Sequence, residues 1–298
     1  MYTLRHILVA TDFSTTAERA VERAAQLATQ HQAALHLLHV VRPLDLYPAL
    51  SLGPDELGGH DEALRQAEQS QLEATAKMLA ARLGIQVHAA SRIGRVHDEI
   101  AQHAEAIGVD LVVVGARGEN TLLDLLMGAT ASRLLRLLSR PVLVVRQPGA
   151  APYGKVLVAV DLSPGSADMV RHARALAGAA KVEVLHVLGS EVELRLRRAK
   201  LAQADISGWL TRQRDEAVRR LDALLADLEP GPGIGRTVLQ GLASAEICRH
   251  AGESGADLIV LGRHGRGGAL HDWMLGSVSK DVAFATRSDV LLVGLAGH

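Results

Sequence analysis

The sequence repeats itself with a period of about half the chain, and this repeat limits the fold more than any other feature. The first half opens with ILVATDFS at 7–14 and the second with VLVAVDLS at 156–163. Near the end of each half, DLVVVGARG at 110–118 matches DLIVLGRHG at 257–265. Because internal repeats set the number of domains, we expect two copies of one domain with one type of site, present twice or retained in one copy.

The two copies are predicted to be domains of ordinary size, 1–147 and 153–298, in a chain of 298 residues. The stretch QPGAAPYG at 147–154 joins them, and its prolines, glycines and alanines are typical of a linker. Hydrophobic residues make up 48% of the chain and aromatic residues only 2%, so we expect a core of alanine, leucine and valine.

Each half alternates short apolar runs with longer stretches of helical periodicity. The predicted strands lie at 6–11, 34–40, 85–90, 110–115 and 141–146 in the first half and at 155–160, 182–188, 234–240, 257–262 and 289–294 in the second. In 14–30 the apolar residues recur with a period near 3.6, and Ser14 suits an N-cap. This pattern predicts an α/β fold: two Rossmann-like doubly wound domains, each a five-stranded parallel sheet (order 3-2-1-4-5) with helices on both faces.

The two halves differ most after the second strand. Residues 43–59 are rich in proline and glycine and are predicted to form a loop, whereas 190–208 is charged and helix-prone. In a sheet of this kind the segment starts at the carboxyl ends of the strands, where ligands bind. Two readings stay open, namely drift in a tolerant loop and a difference in gating.

Composition excludes several classes of function. The net charge of −1 provides no global field toward nucleic acid or an acidic membrane, and no apolar run reaches the length of a membrane span. A single cysteine, Cys248, excludes an internal disulfide and fits a reducing compartment. We therefore expect a cytoplasmic protein with no nucleic-acid or membrane partner.

Common catalytic and metal motifs are absent from the sequence. There is no GxxxxGK[ST], no GxGxxG after a first strand, no GxSxG, no HExxH and no CxxC. Only His264 and His271 form a pair worth considering for a metal, and we interpret them as polar loop residues. No catalytic residue and no metal site is predicted.

Two glycine-rich signatures suggest phosphate binding. GARG at 115–118 is followed after nine residues by GAT at 128–130, and GRHG at 262–265 is followed after ten residues by GSVS at 276–279. Glycine at a strand end allows a backbone to approach a ligand, and the turn that follows can point its N–H groups inward. The second signature opens a predicted helix at 277–285, whose N-terminus favours an anion. The alternative is an ordinary strand-turn-helix connection without a ligand.

Each half places an aspartate where its first strand meets the following loop. Asp12 lies in TDFS and Asp161 in VDLS. A carboxylate there can accept a hydrogen bond from an adenine amino group or a ribose hydroxyl. It can also cap the following helix, and the two roles are compatible.

Together, VATDFS, VAVDLS, both glycine signatures and the closing PVLVV strand resemble the universal stress protein family in its tandem two-domain form. The resemblance covers nearly the whole chain. It implies that adenine lies near the strand-one aspartate and the end of the second strand, with the phosphates on the glycine signature. The matching residues are Asp12, Val40, Gly115, Gly118, Gly128 and Thr130 in the first half and Asp161, Val187, Gly262, His264, Gly265, Gly276, Ser277, Val278 and Ser279 in the second.

The two signatures depart from the family pattern in different ways. In the first, Ala129 stands where serine or threonine is expected, and Glu119 places a carboxylate beside the expected phosphates. In the second, the spacer is one residue longer, and Arg263, His264 and Arg266 provide better charge for an anion. We therefore expect the second domain to be the stronger nucleotide site.

The resulting prediction is a cytoplasmic stress-response or regulatory protein that binds adenine nucleotide, ATP with or without Mg²⁺. No residue of either signature stands out as a base for an attacking water, so sensing is favoured over catalysis, with slow ATP hydrolysis left open. One alternative is an interaction or signalling protein whose glycine-rich turns are purely structural. Another is an enzyme of the adenine-nucleotide α-hydrolase type, which needs a loop such as SGGxDS that TDFS and VDLS do not supply.

The last strand of each half, at 140–146 and 288–294, is continuous and apolar, and the expected strand order makes it an edge. Exposed apolar edges are aggregation templates, so we expect the two to pair in an intramolecular pseudo-dimer, as single-domain members of the family dimerise. Alternatively, Arg140, Arg146 and Arg287 blunt the edges and the domains tumble on the linker. A further homo-oligomer is left open.

Overall fold

The computed structural model of the chain describes residues 3–42, 54–116, 129–149, 151–200, 202–228, 233–263 and 275–294, without the side chains of 54–64, 129 and 130. Contacts divide the chain into two compact units, a first unit of Thr3–Pro152 and a second unit of Tyr153–His298. This division falls inside the predicted linker, while the domain bounds 1–147 and 153–298 stay a prediction. Among the described residues, no helix combines the length and apolarity needed to cross a membrane.

Strands and helices alternate along both units. The first unit contains β1 (His6–Thr11), α1 (Thr15–His31), β2 (Ala34–Val41), α2 (Pro54–Leu83), β3 (Val87–Ile93), α3 (Val96–Ile107), β4 (Leu111–Gly115), α4 (Ala129–Leu137) and β5 (Val142–Val145). The second contains β6 (Lys155–Ala159), α5 (Ser166–Ala177), β7 (Lys181–Gly189), α6 (Glu191–Arg198), α7 (Gln203–Ala226), β8 (Gly235–Gly241), α8 (Ala243–Ser254), β9 (Leu258–Gly262), α9 (Ser277–Ala285) and β10 (Asp289–Val293). Every predicted strand is present, with bounds shifted by a few residues.

Within each unit the described strand pairs are parallel. The order is β3-β2-β1-β4-β5 in the first unit and β8-β7-β6-β9-β10 in the second. In the first unit α1 packs on α2 and α3 packs on α4, and in the second α5 packs on α7 and α8 on α9. The predicted α/β fold of two Rossmann-like domains is confirmed.

The central strands are buried along their length, which explains their continuous apolar sequence. Leu8 of β1 and Val113 of β4 have no exposed surface, and Leu157 of β6 and Ile259 of β9 repeat this in the second unit. At roughly 25 cal/mol per Å² of apolar surface, this burial is the main stabilising contribution. The strands are therefore fixed in register, and their carboxyl ends are held at one edge of each sheet.

A repeated aspartate closes the opposite edge, where the first strand of each unit begins. Asp110 Oδ2 accepts the backbone N–H groups of Arg5 (2.7 Å) and His6 (3.0 Å). Asp257 Oδ2 accepts those of Gly154 (2.7 Å) and Lys155 (2.9 Å). The aspartate that precedes each glycine signature is thus structural and lies far along its strand from the predicted site.

The segment after the second strand differs between the units, as the sequence predicts. The predicted loop at 43–59 is wrong for 54–59, because α2 begins at Pro54; residues 43–53 lie outside the described part of the chain. Proline is favoured in the first turn of a helix, where its missing N–H has no partner to lose. The helix-prone stretch at 190–208 forms α6 and the start of α7.

Candidate functional site

In the first unit, the turn after β1 satisfies its own polar groups. Asp12 Oδ1 accepts the backbone N–H of Ser14 (3.1 Å) and its hydroxyl (2.6 Å). Ser14 Oγ in turn accepts the N–H of Ala17 (3.2 Å), which confirms Ser14 as the N-cap of α1. Asp12 therefore braces the cap that starts the helix.

In the second unit, the equivalent turn leaves an acceptor open. Asp161 Oδ1 accepts the N–H of Ser163 (2.9 Å) and lies 3.5 Å from Ser166 Oγ. Asp161 Oδ2 is buried and has no hydrogen-bond partner among the residues that the structure describes. The helix α5 begins after Gly165 without a side-chain cap. A buried carboxylate oxygen without a donor is costly, so this atom is the candidate acceptor of the second unit.

The residue after each aspartate has a left-handed backbone. Phe13 has φ 61° and Leu162 has φ 60°. Residues other than glycine rarely adopt this backbone conformation, because it costs them roughly 1–2 kcal/mol. It persists only where the surrounding structure enforces it. The same strain at equivalent positions shows that both units build this turn in the same way.

A histidine on the second strand holds each turn in place. His39 Nδ1 donates to the carbonyl of Thr11 (2.8 Å), and His186 Nδ1 donates to that of Val160 (2.8 Å). The His39 ring packs on Phe13 with ring centroids 4.7 Å apart, and its Nε2 lies 3.2 Å from Glu68 of α2. These histidines join the ends of the first and second strands, and thereby position the turn.

A different side chain supports the turn in the second unit. Arg220 of α7 donates to the carbonyl of Leu162 (2.9 Å). Neither Arg220 nor Glu68 is suggested by the motifs, because both lie on the helices that differ most between the two halves. The histidines could have been found, since His39 and His186 occupy the same place in the repeat.

The second glycine signature begins at the end of β9 and ends at the start of α9, and hydrogen bonds join these two described parts. The hydroxyl of Ser279 donates to the carbonyl of Gly262 (2.6 Å), and Gly276 N–H donates to the carbonyl of Arg263 (2.7 Å). Ser279 is buried, Val278 is half-buried and Ser277 is exposed. Because its proton is used within the fold, the Ser279 hydroxyl aligns α9 with the end of β9.

Helix α9 begins at Ser277, as predicted, and its N-cap residue Gly276 makes no side-chain cap hydrogen bond. Beside it, Arg263 is only 4% exposed, and burial lowers its pKa to about 10. Even so, the guanidinium stays positively charged at neutral pH. A helix N-terminus favours an anion, and at this one the Gly276 N–H donates to the backbone carbonyl of Arg263.

Gly115, at the end of β4, is required by packing alone. A Cβ atom there would lie 2.8 Å from the backbone carbonyl oxygen of Thr16 in α1. The close approach that the sequence suggested for a ligand is thus made by the helix that follows the Asp12 turn. The glycine in the first signature therefore has a structural reason that is independent of any nucleotide.

The remaining predicted residues divide into those at the strand ends and those outside the described residues. Val40 is buried near the end of β2, and Val187 is half-buried near the end of β7. Thr130 lies in the first turn of α4, without a described side chain. Gly118, Gly128, His264 and Gly265 lie outside the described residues, as do Glu119, Arg266 and His271. Within the described part, no group of three or more His, Cys, Asp or Glu is arranged to hold a metal ion.

The fold and the paired strand-end turns define a tandem Rossmann-like α/β protein. A model of the universal stress protein family matches residues 3–146 and 152–294. A universal stress protein of Mycolicibacterium smegmatis is 30% identical over 304 residues, which cover 96% of each chain. Universal stress protein Rv1996 of Mycobacterium tuberculosis is 27% identical over 306 residues, covering 96% of this chain and 94% of that protein. The chain belongs to the universal stress protein family, in its tandem form.

Solved structures agree with this fold over both units. A putative universal stress protein from Pseudomonas aeruginosa has a TM-score of 0.63 at 23% identity, covering 98% of this chain and 93% of that one. A universal stress protein from Archaeoglobus fulgidus has a TM-score of 0.65 at 18% identity, covering 98% of both. At these identities the likeness concerns the architecture alone.

Proposed function

We propose that this chain is a cytoplasmic regulatory protein that binds an adenine nucleotide, ATP with or without Mg²⁺, and that the second unit is the stronger site. The buried, unpartnered Oδ2 of Asp161 carries the proposal. An adenine amino group or a ribose hydroxyl would donate to that oxygen and remove the cost of burying it. In the first unit, Asp12 already accepts two hydrogen bonds from Ser14, so it offers less to a ligand.

The phosphate end of the proposed site is supported by the start of α9. Its first N–H groups lie next to the end of β9, because Gly276 N–H and Ser279 Oγ both bond to that strand end. Arg263 adds positive charge in a buried position. When bound, Mg²⁺ would neutralise phosphate charge and be held mainly by phosphates and water, since it needs few protein ligands.

A role in sensing or regulation suits these groups better than rapid turnover. The described site residues provide an acceptor, backbone donors and a cation, which bind and orient a nucleotide. A base aimed at an attacking water is not among them. For the first unit, the packing role of Gly115 favours the alternative that its glycine turn is purely structural.

The test is an isothermal calorimetric titration of ATP, with and without Mg²⁺. It compares the wild type with the variants Asp161→Ala and Asp12→Ala. We expect Asp161→Ala to weaken binding by roughly 1–3 kcal/mol, the cost of leaving a buried polar ligand group without its partner. It should also reduce the preference for ATP over GTP. Asp12→Ala is the matched control and should change the tighter site little.

Two results would contradict the proposal. The first is a wild type that binds no adenine nucleotide at millimolar concentration, which would leave the structural reading of both turns. The second is an Asp161→Ala variant with unchanged affinity, stoichiometry and base preference, which would limit Asp161 to bracing the turn. Thermal unfolding of each variant without nucleotide separates loss of binding from loss of fold.

A further inference from the structure

Four histidines gather at the N-terminal ends of the strands in the first unit, at the sheet edge opposite to the nucleotide site. They are His6 of β1, His36 of β2, His88 of β3 and His103 of α3. His6 and His88 are exposed, His36 is half-buried and His103 is buried. His36 is the centre of this group, which we call the histidine cluster, because the strands bearing His6 and His88 flank its own.

The rings of the histidine cluster are close enough to affect one another's protonation. His6 Nδ1 and His36 Nε2 are 3.2 Å apart, so one ring donates and the other must accept. His36 and His88 face each other in register and stack with ring centroids 4.9 Å apart. If two of these rings were protonated, N–H groups and positive charges would face each other.

On the helix side, the cluster also meets positive charge. His103 Nδ1 lies 3.4 Å from a guanidinium nitrogen of Arg92, which can only donate, so that nitrogen of His103 accepts. The carboxylate of Asp110 is near β1 but bonds to the backbone N–H groups of Arg5 and His6. The charges that act on His36 are those of His88, His6 and His103.

In the second unit, the equivalent positions form a salt-bridge network. The repeat places Lys155, Glu183 and His250 where the first unit has His6, His36 and His103. Glu183 accepts hydrogen bonds from Thr237 (2.7 Å) and His250 (2.8 Å) and lies 3.5 Å from Lys155 Nζ. A central carboxylate among cations and donors is thus replaced in the first unit by a central imidazole among imidazoles.

We propose that the histidine cluster is an acid-sensitive element that loosens the β1–β2–β3 edge of the first unit while the second unit stays intact. Once both His6 and His36 are protonated, neither facing nitrogen can accept, so their hydrogen bond is lost and two positive charges face each other. Because β1 and β2 run from this cluster to Asp12 and Val40, loosening at one end reaches the strands that form the other. This inference does not depend on nucleotide binding.

The expected pH window follows from the pKa values. Burial, together with the charges of His88, His6 and His103, lowers the pKa of His36 from 6.5 to about 4. A histidine with a depressed pKa stabilises the fold fully above its unfolded pKa, so stability falls as the pH drops from 6.5 toward 4. Burial raises the pKa of Glu183, but bonds from Thr237 and His250 and the charges of His250 and Lys155 leave it below 4.5. The Glu183 contribution is lost only below that pH, so between 4.5 and 6.5 the stability linked to His36 falls while that linked to Glu183 is kept.

The test is hydrogen–deuterium exchange of the full chain at pH 7 and pH 5 in EDTA, corrected for intrinsic exchange and followed by mass spectrometry. In the wild type, we expect peptides from β1, β2 and β3 to lose about tenfold of their protection at pH 5. This factor is smaller than the one that the whole pKa shift would give, because the His36 ring is only half-buried and solvent screens its charge. Peptides from β6, β7 and β8 should keep their protection and serve as the internal control.

Variants assign the effect to the cluster. His36→Leu removes the central titration and should abolish most of the acid response of β1–β3; the part that remains belongs to the other rings, such as His103, whose pKa burial also lowers. His36→Glu copies the second unit and should give protection at pH 5 that equals or exceeds that at pH 7. His172→Gln, on α5 and outside the cluster, should leave the wild-type response unchanged. If His36→Leu does not fold, His88→Asn is measured in its place. It should make the loss of protection of β1–β3 between pH 7 and pH 5 two- to threefold smaller than in the wild type.

Equal protection of β1–β3 at both pH values in the wild type would overturn the proposal. So would a full acid response that persists in His36→Glu and His88→Asn. Loss of protection in both units together would show general acid unfolding and would also count against it.

Discussion

The strand-one turns of the two units share one backbone path but use their aspartates differently. Asp12 accepts both the N–H and the hydroxyl of Ser14, and Ser14 caps α1. Asp161 engages one oxygen and keeps the other buried without a donor, beside a helix that starts without a side-chain cap. One fold can therefore hold this aspartate with one oxygen shared by two bonds to the cap residue, or with one oxygen that has no donor among the described residues, and position in the repeat does not decide which.

The largest expected effect concerns the packing of the first unit. Gly115→Ala places a Cβ 2.8 Å from the Thr16 carbonyl, and this overpacking should lower the free energy of unfolding by about 3 kcal/mol. Gly189→Ala, at the end of β7, is the matched control because a Cβ there meets nothing within 4 Å. Urea denaturation of both variants measures the difference. Equal stability would mean that α1 shifts freely and that Gly115 is kept for a ligand after all.

A smaller effect tests how α9 is held in the second unit. Ser279→Ala removes a buried hydroxyl and leaves the Gly262 carbonyl without this donor, which should cost about 1–2 kcal/mol of unfolding free energy. Ser277→Ala, on the exposed side of the same helix, should change stability by less than about 0.5 kcal/mol. Thermal unfolding monitored by calorimetry compares the two. Identical transitions would show that the Ser279 bond does not align the helix.

The smallest effect compares the two aspartates without nucleotide. Asp12→Asn weakens charge-assisted bonds to Ser14 and should destabilise the protein by about 1 kcal/mol. Asp161→Asn keeps the Ser163 bond and neutralises the unpartnered oxygen, so stability should stay equal or rise slightly. Chemical denaturation in nucleotide-free buffer gives both values. A loss at Asp161 as large as that at Asp12 would remove the difference between the two turns.

Much of the fold follows from the sequence because the repeat and the apolar strands are local signals. The strands, the Ser14 cap and the helix at 277–285 are all confirmed, since each depends on neighbouring residues. The loop predicted at 43–59 is wrong for 54–59, because α2 forms there despite two glycines that lower helix propensity. Helix packing on β2 and β3 can outweigh that local preference.

The candidate site is predictable only in part, for physical reasons. Asp161, Gly262, Gly276 and Ser279 are close together at the strand ends of a parallel sheet, as their motif positions predict. What no motif contains is the balance of hydrogen bonds that leaves one oxygen of Asp161 open. That balance depends on distant side chains such as Arg220, whose position is set by the tertiary fold.

The left-handed turns at Phe13 and Leu162 also affect how this protein would respond to selection. Glycine adopts such a backbone without steric cost, so a library screened only for heat resistance should enrich glycine at position 13 but not at 162, where the lost leucine is only 9% exposed. At position 13 glycine would remove the ring that packs on His39 and leave that imidazole held by Thr11 and Glu68. A laboratory lineage evolved for durability would therefore lose the sequence similarity between the two repeats at this turn while both backbone paths stayed the same.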